Sequence, residues 1–214
     1  IVKFDENLKC LSNTANNPLV KSGDSRIAYW SPSLFRLVRV KDGNFFGVGS
    51  FEFGCGGFNW LTGALLNKGF IDKIAMAEFD PSGIPQHMID IGIKCEPSFG
   101  TDIAYDGNNS IYMTGSFLGK PPTDFDPGRR IDKHLGKGMD AFLTCYDSDG
   151  NYKWTGSFGG DGQDMATDVV ATGDSRIFVM GYFSGTIDFD PGSEEFELTS
   201  SDPTDIFLAA YEIP

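Results

Sequence analysis

The phrase Asp-Phe-Asp-Pro-Gly occurs twice, at Asp124–Gly128 and Asp188–Gly192, and the residues around it recur with it. A long fixed period constrains a chain strongly, because each copy must be one supersecondary unit that stacks on the next. Gly49-Ser50-Phe51, Gly115-Ser116-Phe117 and Gly181-Tyr182-Phe183 stand 66 residues apart. Downstream of them lie Ile74–Asp80, Ala141–Asp147 and Ile206–Glu212, which share an apolar run ending in an acid. A third landmark pairs Ser98-Phe99-Gly100 and Asp102-Ile103-Ala104 with Ser157-Phe158-Gly159 and Asp164-Met165-Ala166.

One unit reads as four strands. Asp102–Tyr105 is short and apolar, and Asp106-Gly107-Asn108 is a hairpin signal. Ser110–Phe117 alternates, placing Ile111, Met113 and Phe117 on one face and Tyr112, Thr114 and Ser116 on the other. A polar loop carries Asp124–Gly128, Ala141–Tyr146 is a third strand, and Tyr152–Ser157 is a fourth. Four hairpin-linked strands, repeated, predict an all-β, β-propeller-like array of four-stranded antiparallel blades, about three with partial ones. Strands apolar on both faces fit sheets sandwiched between sheets. Gly47, Gly49, Gly115 and Gly181 fit strands whose backbones approach closely.

The chain of 214 residues is long enough for one sizeable core and is read as a single domain, 1–214. Its approximate units are a partial or degenerate blade over 1–33, blades over 34–100 and 101–163, and a blade lacking its last strand over 164–214. Ile1–Leu11 resembles the third and fourth strands of a blade. Within Leu19–Trp30, Gly23–Ile27 is identical to Gly173–Ile177, so the segment reads as a first hairpin with no third and fourth strands to follow it, either a degenerate blade or an extra hairpin.

Nineteen phenylalanines and 27 glycines favour strands and tight turns over helices. The net charge of −13 disfavours nucleic acid, whose phosphates need clustered Lys and Arg. No apolar run is long enough for a membrane span. Cys10, Cys55, Cys95 and Cys145 form no CxxC pair, which argues against zinc or redox chemistry; they read as buried free thiols or as one or two disulfides, among whose three pairings the sequence does not choose.

Trp154–Gly192 combines a Trp, Phe-Gly-Gly, Asp-x-Ala, a Gly-centred strand and Asp-Phe-Asp-Pro-Gly. This resembles the bacterial β-propeller repeats called SBBP, over roughly Asp102–Glu212, with a weaker match in the first full unit. The resemblance implies an exported or cell-surface bacterial protein, commonly with many repeats. It implies no catalytic residues. About three blades fall short of the four to eight of single-chain propellers, so the chain is expected to be a fragment of a longer array, a degenerate small ring or part of an oligomer, with another protein or a cell-surface component as partner.

Asp124, Asp126, Asp188 and Asp190 are the candidate metal ligands, because paired carboxylates on a loop suit calcium. Tight-turn chemistry explains the same residues and is the preferred reading: Pro presets φ, and Asp accepts backbone hydrogen bonds. Asp147-x-Asp149-Gly150-Asn151 lacks the acid an EF-hand needs twelve residues on and reads as a hairpin. Gly159-Gly160-Asp161-Gly162 lacks a phosphate-loop ending and reads as a connector. His134 is expected in a solvated loop and His87 on a fourth strand. Trp154, Phe158, Tyr182 and Phe183 are expected in the core rather than on a carbohydrate platform. The expected protein is a non-enzymatic scaffold mediating protein interaction or adhesion through its loops. The alternative is a glycan-binding or hydrolytic propeller with an axial pocket.

Overall fold

Apolar and aromatic residues alternate between Asp- and Gly-bearing turns, and strands form where they do. The computed structural model describes residues 2–4, 10–13, 33–54, 58–59, 64–65, 70–91 and 98–212. Among these every regular element is a β-strand. β1 (Val2–Phe4) and β2 (Cys10–Asn13) pair antiparallel. The first large sheet contains β3 (Ser33–Arg39) and β4 (Phe45–Gly54). A ribbon of β5 (Phe58–Asn59) and β6 (Ala64–Leu65) follows, then β7 (Phe70–Phe79) and β8 (Pro85–Ile91).

The second sheet repeats this plan: β9 (Ser98–Tyr105), β10 (Ser110–Phe117), a ribbon of β11 (Thr123–Asp124) and β12 (Lys133–His134), then β13 (Asp140–Asp147) and β14 (Tyr152–Phe158). The third has β15 (Met165–Thr172), β16 (Arg176–Phe183), a ribbon of β17 (Thr186–Asp188) and β18 (Glu197–Thr199), and β19 (Asp205–Glu212). The first two sheets are four-stranded antiparallel meanders, and the third has three strands among the described residues. The segment expected as a polar loop is instead a two-stranded ribbon, inserted between the second and third strands of each sheet.

The hairpins close as the sequence directs. Asp106 Oδ1 accepts the N–H groups of Asn108, Asn109 and Ser110, and Gly107 supplies the positive φ of 84°. Asp147 Oδ1 does the same for Asp149 and Asn151, so Asp147–Asn151 is a hairpin turn.

The sheets stack face to face around two cores. One joins Val48, Ile74 and Met76 of the first sheet to Ile111, Met113, Phe117, Phe142 and Tyr146 of the second. The other joins Tyr112, Leu143, Cys145 and Phe158 to Val169, Ile177, Val179 and Phe207 of the third. Alternate residues of β10 and β13 therefore face opposite cores, as the period of two requires. Phe158 and Phe183 are buried as expected; Trp154 and Tyr182 are half-buried. Cys145 is a buried free thiol, and desolvation pushes its pKa up to about 12.

Each first strand carries a bulge at the same place. Phe35, Thr101 and Thr167 are the extra residues, opposite Gly49, Gly115 and Gly181. This register corrects one sequence match. Phe99 lies in a first strand and Phe158 in a fourth. Asp102 opposes Thr114 as Asp168 opposes Met180, so the structural counterpart of Asp102 is Asp168, not Asp164. Local similarity misled here because a short Phe-Gly pattern suits either strand. β9 also begins at Ser98, four residues before the expected start, because pairing resumes beyond the bulge. The 19–30 hairpin lies outside the described residues.

Candidate functional site

The two Asp-Phe-Asp-Pro-Gly copies build the same clasp at the end of a ribbon. Asp124 Oδ1 accepts from the N–H of Asp126 at 3.3 Å and of Asp132 at 3.0 Å. Asp126 Oδ1 accepts from Gly128 N at 2.6 Å. In the third unit Asp188 Oδ1 accepts from Asp190 N at 3.0 Å and Phe196 N at 2.8 Å, and Asp190 Oδ1 from Gly192 N at 2.7 Å. The Phe between the two acids turns inward in both copies: Phe125 is 0% exposed and Phe189 6%. Tyr146 and Tyr211 hydroxyls donate to the Phe125 and Phe189 carbonyls at 3.5 and 3.0 Å. Pro191 sits over β14, where a Cβ on Gly156 would come within 2.7 Å of its ring.

All four candidate ligands thus act as turn acceptors through Oδ1. Among the described residues, no group of three or more His, Cys, Asp or Glu could hold a metal ion. Two carboxylates per clasp fall short of the six to eight oxygens calcium takes. Melting temperatures in calcium and in EDTA are therefore expected to coincide, since only a ligand bound to the folded state shifts the midpoint. A calcium-dependent rise would assign an ion to the clasps.

The tips beyond the clasps differ. After Gly128 come Arg129, Arg130 and Ile131; after Gly192 come Ser193, Glu194 and Glu195, and all six are exposed. One frame therefore presents a basic tip in one unit and an acidic tip in the next.

His134 is not solvated. It lies on β12 with its ring at 5.4 Å from Phe125, edge-on, Nδ1 at 2.8 Å from Ser157 Oγ, and Nε2 at 3.2 Å from Asp132 Oδ1. Asp132 also accepts from the Tyr152 hydroxyl. The ribbon folds back on β14, which removes the ring from the solvent a loop would have offered. His87 lies on β8, the fourth strand, as expected. Gly159–Gly162 connects β14 to β15, and Gly160 N donates to Asp164 at 2.8 Å.

Sequence reading missed one polar row. Arg36, Asp102 and Asp168 each follow the bulge of a first strand, at the 66-residue spacing. Arg36 Nε lies 3.3 Å from Asp102 and Nη2 3.4 Å from Asp168. Asp102 Oδ2 accepts Val169 N at 3.0 Å, and Thr101 Oγ1 donates to Ala166 O at 2.7 Å. Desolvation raises the Asp102 pKa against these hydrogen bonds and the Arg36 charge. One guanidinium thus ties the first strands of three sheets together. The signal was the spacing, which joins residue types too different to read as a motif.

No family model matches the chain. It is similar to an uncharacterized WD repeat-containing protein of Acanthamoeba polyphaga mimivirus, 25% identical over 124 residues. That match spans 53% of this chain and 9% of the relative, so the chain corresponds to a small part of a much longer protein. A repeat-built, all-β protein is the class that this similarity and the recurring sheets share. No helix among the described residues is long and apolar enough to cross a membrane.

Proposed function

We propose that this chain is a non-enzymatic scaffold of β-propeller type that binds another protein through its ribbon tips. The observation that carries the reading is the constant clasp with a changing tip: Arg129 and Arg130 in one unit, Glu194 and Glu195 in the other. Binding residues are drawn to loops held by a rigid frame, and opposite charges select partners and orient their approach. The resemblance to SBBP repeats supports an exported or cell-surface setting, and the WD repeat-containing relative supports a repeat scaffold. The polar row argues against the hydrolytic alternative, because Arg36 engages both acids within the fold.

The test is partner capture by wild type, R129E/R130E and E194K/E195K, each with its melting curve. At least one double variant is expected to lose about tenfold in partner affinity while melting as wild type, since a few residues dominate an interface. Equal capture by all three would remove the tips as the binding surface. A secreted or surface-accessible fraction in the source cells would support the location, and a purely internal one would reject it.

A further inference from the structure

The ribbons share a frame and differ in charge. The second unit's ribbon carries Arg129, Arg130 and Lys133 at and beside its tip, and the third unit's carries Glu194, Glu195 and Glu197. The registers align them, since Asp124 pairs with Lys133 as Asp188 pairs with Glu197. Lys133 therefore matches Glu197 and Arg130 matches Glu194, with opposite charge at both positions. In the first unit the corresponding stretch, 55–69, contains Lys68 and no Asp or Glu. One copy thus holds one basic ribbon and one acidic ribbon.

All six charged residues are exposed. Among the described residues, no ion pair joins any of them to another side chain, so the two ribbons of one copy do not neutralise each other. Arg36, Lys153 and Arg176, by contrast, are each held by an acid. The sheet under the basic ribbon has all four of its strands, and the tip is exposed nonetheless. Asp132 and His134 point inward, to the Tyr152 hydroxyl and to Ser157. By the period of two, Ile131, Lys133 and Leu135 point outward, and Ile131 is 71% and Leu135 66% exposed. The clasp already fixes each tip, which lowers the ordering cost of a contact.

We propose that the basic ribbon of the second unit docks on the acidic ribbon of the third unit in a second copy of this chain. This rests on the reading that the tips bind, and it names their occupant. Opposite charges on one shared frame attract and set the register, while basic on basic and acidic on acidic repel. The contact joins unlike patches and leaves one ribbon of each copy free, so copies add head to tail. The net charge of −13 opposes approach at long range, but salt screens it beyond about 8 Å and leaves the tip contacts. Two tips bury little surface, so the contact is weak and reversible.

Sedimentation of the full chain over a concentration series tests it. The weight-average mass is expected to rise with concentration. R129E/R130E and E194K/E195K should each weaken self-association about tenfold while melting as wild type, since exposed ion pairs become repulsions. E194K/E195K separates tip pairing from general repulsion: it takes the net charge from −13 to −9, which alone would favour association. Mixing the two variants should restore association, because one then has only acidic tips and the other only basic ones. The fourfold variant, with its ribbons exchanged and its net charge again −13, should associate as wild type does. A constant monomer mass, undiminished association of E194K/E195K, or a mixture that stays monomeric would overturn the inference. If the chain stays monomeric while the double variants still lose capture of another protein, the tips remain a binding surface and only the second copy is removed as occupant.

Discussion

Gly115→Val is expected to destabilise the protein by on the order of 3 kcal/mol or more, the upper range of overpacking. A Cβ at Gly115 would sit 1.8 Å from the Phe99 carbonyl oxygen and 2.9 Å from the Phe142 ring. The ring could rotate, but the carbonyl belongs to a paired backbone. That carbonyl lies where it does because the Thr101 bulge shifts the register of β9 against β10. Relief would mean undoing the bulge, which moves Asp102 away from Val169 and Arg36. The generic rule gives the opposite sign, since replacing a strand glycine normally gains about 0.5–1 kcal/mol of chain entropy. Steric overlap with backbone is the larger effect. Gly181 repeats the geometry, with Met165 O at 2.0 Å and the Phe207 ring at 2.8 Å, and should respond alike. Gly173→Ala is the control: its Cβ would meet only Asp106 O at 3.8 Å, so its change should stay within about 0.5 kcal/mol. Denaturant midpoints at fixed slope measure all three. A Gly115→Val protein within 1 kcal/mol of wild type, roughly the size of the entropy gain, would show that the bulge does not confine this position.

The strands were legible because their information is local. Ile111, Met113 and Phe117 alternate with Tyr112, and that period alone assigns them to two cores. Turns were legible too, because Asp106 and Gly107 carry their conformations within four residues. What failed was pairing at a distance. Whether Phe158 aligns with Phe99 depends on which strand each one pairs with, and both sit in a similar apolar-glycine text. His134 read as solvated because its partners, Ser157 and Phe125, are 23 residues ahead and 9 behind, brought in by ribbon closure. The Arg36–Asp102–Asp168 row was hidden for a related reason. Its members occupy one structural position but differ in charge, one cation and then two acids, and only stacking brings the cation against both. The candidate site was half legible. The Asp-Phe-Asp-Pro-Gly acids announced a turn, while the inward course of the Phe needed the neighbouring sheet to show it.

That Phe carries the second large effect. Phe125→Ala and Phe189→Ala are each expected to cost about 3–5 kcal/mol, the usual range for a fully buried Phe. Phe125 lies with ring centroids 5.1 Å from Phe117 and 5.0 Å from Phe142. Phe189 lies 5.4 Å from Phe183 and 5.0 Å from Phe207, and also 6.0 Å from Phe158 of the second sheet. By contrast, Asp124→Ala leaves two backbone N–H groups without their acceptor near the surface, where water replaces it, and should cost about 1 kcal/mol. The order Phe above Asp follows from burial: the ring has no substitute for its contacts, and the turn has solvent. The two Phe variants should also differ from each other. Among the described residues the ring partners of Phe125, namely Phe117, His134 and Phe142, are in its own unit, whereas Phe189 bridges to Phe158 across the sheet boundary. In stacked repeats, cooperativity depends on such interface contacts. Phe189→Ala is therefore expected to broaden the transition, with amides of 165–212 exchanging before those of 98–158, while Phe125→Ala lowers the midpoint without separating the third sheet. If Asp124→Ala proves as costly as Phe125→Ala, the clasp is held by its polar turn, and the twice-written phrase has its meaning in the acids after all.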